Sequence, residues 1–187
     1  GSVVPDVPVG NELKDNQIWY TTSGGGTVSP QNMPAVESNV YVNGKGIITF
    51  SQKLTAIETR AFKNCGNLVT VTLPDCIETI ATEAFRECSS LTKINIPKSV
   101  SVIDQEAFCK CQSLKSITIP ESVKAIGEGA FVGCTSLKSI TIPGSVGTIR
   151  YEAFARCTSL EDVVMSKGVK KIDELQDQID FIKDNKS

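Results

Sequence analysis

Residues 126–143 read IGEGAFVGCTSLKSITIP, and their skeleton, Ile126, Ala130, Phe131, Cys134, Leu137, Ile140, Ile142 and Pro143, returns every 23 residues. Isoleucine stands at Ile57, Ile80, Ile103, Ile126, Ile149 and Ile172, and an Ala-Phe pair keeps step at Phe62, Phe85, Phe108, Phe131 and Phe154. The same period carries Cys65, Cys88, Cys111, Cys134 and Cys157, then Leu68, Leu91, Leu114, Leu137 and Leu160, then Pro74, Pro97, Pro120 and Pro143. Self-similarity at this period marks a solenoid, in which one unit cannot bury its own apolar face and neighbours must stack to do so.

Within the unit Leu91–Pro97, LTKINIP, the pair Ile94 and Ile96 alternates with polar Lys93 and Asn95, the pattern of a short strand buried on one face. Pro97 ends it, because proline lacks the N–H a ladder needs. The next strand lies one period on and must run parallel, so each turn needs a return segment, Ile103 to Cys111. There Ile103, Ala107, Phe108 and Cys111 fall at i, i+4, i+5 and i+8, which predicts a short helical or 3-10 return. The expected fold is an α/β-type right-handed solenoid, with a parallel sheet on one face and short helical returns on the other. Strands about 4.8 Å apart make a stack roughly 25 to 30 Å long, one domain.

The unit Ile-x-x-x-Ala-Phe-x-x-Cys-x-x-Leu-x-x-Ile-x-Ile-Pro-x-x-Val, as in residues 126–143 followed by Val146, resembles the leucine-rich repeats of the BspA-like class of bacterial surface proteins. The likeness covers about Ile47 to Ile172 and includes Ala-Phe, Cys and Pro columns that ordinary leucine-rich repeats lack. The upstream NELKDNQIWYTTSGGG also resembles the segment preceding such arrays in Bacteroides-type proteins. The general pattern places Asn or Cys three residues after the last Leu of each repeat. Here Cys76 does so, but Ser99, Ser122, Ser145 and Gly168 occupy the position elsewhere, so an asparagine ladder is not expected.

Solenoid ends expose apolar cross-sections, and both ends of this chain read as covers. Residues 1–10 read as a linker, with Gly1 and Ser2 as a tag scar, and a signal or lipoprotein anchor segment is expected to have been removed ahead of them. Residues 11–46 read as a β-rich N-terminal cap of hairpins, one around Asn43-Gly44, with Trp19, Tyr20 and Tyr41 packing as a cap or, alternatively, forming a ligand site. Residues 47–172 are the repeats, beginning with a truncated first turn in which Ile48 and Phe50 hold the strand phase and Leu54 maps onto Ile77. Residues 173–187 carry Leu175, Ile179 and Ile182 at i, i+4 and i+7, an amphipathic helix expected to cap the last turn or, alternatively, to bind a partner.

Lys plus Arg number 19 and Asp plus Glu 21, with no basic face, which argues against nucleic acid. No apolar run approaches the roughly 20 residues of a membrane span. The seven cysteines are odd in number and five share one column, so they read as reduced core residues. Cys109 and Cys111 form a lone Cys-x-Cys that, without histidine, is a poor metal site, and no metal or cofactor is expected. Without histidine the commonest general base is missing. The recurring Glu83, Glu106, Glu128 and Glu152 read as solvated charges on the convex edge, and Ser23 to Thr27 as a glycine turn, so no enzyme activity is expected.

The outward strand positions form two columns, Thr70, Lys93, Ser116, Ser139 and Asp162, and beside them Thr72, Asn95, Thr118, Thr141 and Val164. These ten are the candidate partner-binding residues of the expected concave face, although hydroxyl side chains also simply suit a solvated sheet. The resemblance implies a secreted or surface-anchored bacterial module for macromolecular recognition or adhesion, with an extracellular protein or glycan as partner. The alternative is a structural spacer with no ligand. Neither aromatics nor arginines, the usual interface anchors, are evident on the two columns.

Overall fold

The computed structural model describes residues 12–169, together with the backbone of 171 and 172. The linker expected over residues 1–10 and the helical cap expected over 173–187 lie outside the described residues. The chain folds as a β-solenoid of about five turns of leucine-rich-repeat type. In chain order the strands are β1 (Gln17–Thr22), β2 (Val36–Val42), β3 (Lys45–Phe50), β4 (Ala56–Ile57), β5 (Leu68–Thr72), β6 (Thr79–Ile80) and β7 (Lys93–Ile94). They continue with β8 (Val102–Ile103), β9 (Ala125–Ile126), β10 (Ser139–Ile142), β11 (Thr148–Ile149), β12 (Asp162–Met165) and β13 (Lys171–Ile172).

Two strand faces run along the stack. The repeated isoleucines end two-residue strands that form an unbroken six-stranded parallel ladder, β4-β6-β8-β9-β11-β13, with Ile57 opposite Ile80, Ile80 opposite Ile103 and so on. The strands that begin near each repeated leucine make the other face, where β5 pairs with β7 and β10 with β12, all parallel. That second ladder is open in the middle: residues 114–119 belong to no strand, and the backbone bond that reaches them from the next turn is Lys138 N–H to the Lys115 carbonyl at 3.3 Å.

Among the described residues there is no helix, which corrects the expected helical returns. Glu106 and Lys110 sit in the left-handed region, at φ 52° and 59°, and the same two columns hold Arg60 and Asn64, Glu83 and Glu87, Gly129 and Gly133, and Glu152 and Arg156. A left-handed residue every fourth position ends any right-handed turn that begins. The return is instead a run of tight turns whose amides point alternately inward and across. Glu106, Phe108 and Lys110 donate to the carbonyls of Glu128, Ala130 and Val132 on the next turn, while Ala107, Cys109 and Cys111 donate back to Asp104, Glu106 and Phe108 on their own. An i, i+4, i+5, i+8 spacing fits this corner as well as a helix, because both bring those side chains to one side.

That side is the core. Phe62, Phe85, Phe108, Phe131 and Phe154 stack with ring centroids 5.3–5.4 Å apart and planes within 2–7° of parallel, and all five are enclosed. Each contributes roughly 1.5–3 kcal/mol through area removed from water.

The N-terminal cover differs from the expected truncated turn in one respect. Leu54 is buried, and Ala56–Ile57 take the phase of the short-strand ladder, as the repeat requires. On the other face, however, β3 does not pair with β5. β1 lies between them, antiparallel to both, with Trp19 opposite Ile47 on one side and Thr72 on the other. The hairpin expected around Asn43-Gly44 forms between β2 and β3, with both turn residues left-handed at φ 52° and 78°. Gly46 is opposite Tyr20, and a Cβ there would stand 2.2 Å from the phenol ring, so only glycine lets Tyr20 pack down onto β3.

Candidate functional site

The long-strand face is built by alternation. Val71, Ile94, Ile117, Ile119, Ile140 and Ile142 turn inward and are buried, which sends their neighbours outward. All ten predicted residues therefore share this face. Thr72, Lys93, Asn95, Ser116, Thr118, Ser139, Thr141, Asp162 and Val164 are exposed, and Thr70 is half-buried. Two of them are engaged by the chain itself. The Asn95 amide spans the Leu73 backbone, accepting from its N–H at 2.7 Å and donating to its carbonyl at 2.9 Å, where no strand ladder does so. The Thr70 hydroxyl lies 2.7 Å from that of Thr21 on β1.

Three depressions follow one another along the stack. The first, about 350 Å³, is lined by Trp19, Thr72, Leu73, Pro74, Asp75 and Asn95, together with Glu12 and Leu13. The second, about 280 Å³, runs from Lys93–Ile96 to Ser116–Thr118. The third, about 290 Å³, runs from Ser116–Ile119 to Ser139–Thr141 and on to Ser166. Asn95 belongs to the first two and Ser116 to Thr118 to the last two, so the three make one trough, floored by isoleucine and edged by hydroxyls in the second and third and lined by Trp19, Leu73 and Pro74 in the first. The second and third flank the segment where the ladder is open.

The N-terminal end of this face holds side chains that the repeat columns could not reveal. Ile18 and Tyr20 are buried, so Trp19 and Thr21 turn outward beside Thr72 and Thr70. The Lys45 ammonium sits over the indole, 3.3 Å from the ring centroid. The Trp19 indole N–H is enclosed and finds no acceptor among the described residues. The outward parity of Trp19 was legible from the alternation of QIWYTT, but its place beside β5 depends on a pairing between segments some 50 residues apart in sequence. Tyr20 and Tyr41 belong to the cover: the Tyr20 phenol donates to Asn39 at 2.7 Å, and that of Tyr41 donates to the Gly44 carbonyl at 3.1 Å.

On the return side, Glu83 departs from the solvated charge expected of it. It is buried, and its carboxylate accepts hydrogen bonds from Lys63 and from Arg60, the latter at 3.1 Å and 3.3 Å. The hydrogen bond from Lys63, with that from Arg60, holds its carboxyl below the usual carboxylate range. Glu106 pairs with Arg86 in the same way, one turn apart. These carboxylates tie turns together. Among the described residues, no three Cys, Asp or Glu side chains converge to hold a metal ion, and no helix is long and apolar enough to cross a membrane.

The sequence matches the BspA type leucine rich repeat region in six copies, over residues 29–114 and 79–176. Among solved structures, a leucine rich cell surface protein from Faecalibacterium prausnitzii is 38% identical with a TM-score of 0.60, over 63% of this chain and 31% of its own. A leucine rich repeat protein of T. pallidum is 25% identical with a TM-score of 0.54, over 71% of this chain and 78% of its own. A leucine-rich repeat protein from Bacteroides ovatus is 24% identical with a TM-score of 0.43, over 88% of this chain and 56% of its own. The chain thus spans under a third of the length of the Faecalibacterium protein. No curated protein matches it.

Proposed function

Because the chain belongs to the BspA-type leucine-rich-repeat family, we propose that it is a non-enzymatic recognition module, secreted or displayed on a bacterial surface, that holds a macromolecular partner against its long-strand face. The observation that carries this is the row of adjoining depressions from Trp19 past Asn95 and Thr118 to Thr141, set on a stack whose core is the closely packed Phe column. Rigid, repeating donors and acceptors lose little freedom when a partner docks. Similarity to a cell surface protein supports the location. The partner is an extracellular protein or glycan, contacted through Lys93, Ser116, Thr118, Ser139 and Thr141.

The test is a screen of the purified chain against protein and glycan arrays, repeated with Ser116→Arg and Thr118→Arg. Each adds bulk in the trough at an exposed site, so the partner should be lost while the unfolding transition stays in place. A partner that binds both variants normally would move the site elsewhere. The second reading, a spacer, draws on Asn95 and Thr70, whose polar atoms are satisfied internally. It predicts that no arrayed molecule binds.

A further inference from the structure

We infer that the depression beside Trp19 is a subsite for a neutral sugar, taking one pyranose ring against the indole. This deepens the reading that the long-strand face binds a partner, and rests on it. Trp19 is the one tryptophan of the chain and stands on a face whose repeat columns carry no aromatic side chain. The ring meets both a cation and the depression. Lys45 comes from β3, on one side of β1, whereas the depression reaches the ring from Thr72 at the end of β5, on the other, and from Leu73 and Asp75 just beyond it. The cation holds the indole plane in place, so the ring need not be ordered when a ligand arrives.

Charge narrows the ligand class. The Lys45 ammonium over the indole opposes a cationic group on the same ring, which argues against a lysine or arginine side chain. The carboxylates of Glu12 and Asp75 in the lining of the depression oppose an anion, which argues against a uronate, a phosphate or a peptide C-terminus. A neutral polyhydroxylated ring satisfies both constraints. A pyranose carries a face of C–H bonds that packs on an aromatic plane, and peripheral hydroxyls that donate to carboxylates and exchange hydrogen bonds with a threonine. Trp19, Asp75, Glu12 and Thr72 supply those partners. Asn95 is a wall only, because Leu73 holds its amide. At about 350 Å³ the depression falls within the range of roughly 300–1,000 Å³ usual for small-ligand sites, and it opens into the trough, where further sugar units would run past Thr118.

With one tryptophan, intrinsic fluorescence reads the subsite without background. The purified chain is titrated with cellohexaose, xylohexaose, chitohexaose and mannohexaose to about 10 mM, beside hexagalacturonate and a hexalysine peptide as charged probes. At least one neutral hexasaccharide should shift the emission saturably, and Asp75→Ala, an exposed site, should raise its Kd about tenfold or more with no change in unfolding midpoint. Trp19→Phe, followed by calorimetry, should weaken the same sugar. Silence with all four neutral sugars overturns the inference, as does a response to a charged probe alone, or a sugar that binds Asp75→Ala and Trp19→Phe as tightly as wild type. If an arrayed partner is blocked by Ser116→Arg while no neutral sugar moves the emission, the subsite falls and the binding face stands. If nothing on the arrays binds and the emission is silent, both fall.

Discussion

The thiol of Cys111 donates to the backbone carbonyl of Phe85, 3.2 Å away on the preceding turn. Cys88 meets Phe62 in the same way at 3.0 Å, Cys134 meets Phe108 at 3.2 Å and Cys157 meets Phe131 at 3.1 Å. Within each turn, the cysteine N–H also donates to its own phenylalanine carbonyl, as Cys88 does to Phe85 at 3.2 Å. The Phe85 oxygen therefore receives one bond from its own turn and one from the next. A small apolar side chain that is also a weak donor fits that enclosed place, which is why cysteine recurs there. Cys65 belongs to the first turn of the column and is only partly buried.

Thiol reactivity should follow this gradient. Under native conditions Cys88, Cys109, Cys111, Cys134 and Cys157 should label slowly with a thiol reagent, and Cys65 and Cys76 faster, with all seven equal after denaturation; mass spectrometry of digested protein reads each site. Burial pushes the Cys157 thiol up to about 12 and those of Cys111 and Cys134 well above the ordinary 9.0. A folded-state value raised in this way leaves its stability intact below pH 9.0 and removes it as pH rises beyond. Urea midpoints should therefore fall between pH 9 and 11, less steeply in Cys111→Ala.

Phe108 sits between Phe85 and Phe131 with both rings about parallel to its own. Phe108→Ala should cost on the order of 3–5 kcal/mol, against about 0.5 kcal/mol or less for the exposed Thr118→Ala. Urea unfolding of the two variants measures the difference, and equal, mild losses would mean the Phe column does not carry the stack.

Glu83→Gln should lower stability at pH 7 by about 1 kcal/mol, since partly exposed ion pairs are modest even when a carboxylate has two partners. Because Lys63 and Arg60 depress the Glu83 carboxyl, its contribution is present above the ordinary 4.5 and disappears as pH falls through the lower folded value. Wild type and variant should therefore converge in acid, which a series of thermal melts from pH 7 to 3 would reveal.

Lys110 and Gly133 hold the same place in successive turns, at φ 59° and 71°. Gly133→Ala should destabilise by about 1 kcal/mol, the left-handed penalty of a side chain, whereas Lys110→Gly should be neutral or slightly stabilising despite losing an exposed pair with Glu87. Similar losses in both would mean the return geometry is not what limits this column.

The repeat alone determined which residues are inside. Ile103, Phe108, Cys111 and Leu114 recur at one interval, and a stack of equal turns has only one place for a large apolar side chain that recurs in register, so core and strand parity were legible before any coordinate. The path between those positions was not. The spacing of Ile103, Ala107, Phe108 and Cys111 suits a helix and a run of tight turns alike, and it was the hydrogen bonds to the next turn, such as Phe108 to Ala130, that favoured the turns. Trp19 could be read as outward on a strand, yet only the insertion of β1 beside β5 brought it to the face of Thr72 and Asn95, because antiparallel pairing across some 50 residues leaves no periodic trace. The clearest case is LKSITIP, which occurs identically at residues 114–120 and 137–143. The second copy pairs with β12 along four residues and the first with no strand at all. Ladder formation depends on the distance to the neighbouring turn. A stack that curves or twists cannot hold both faces at one spacing, so with the isoleucine ladder closed at every turn, where the other face opens is settled by the whole assembly of turns and not by the segment that opens.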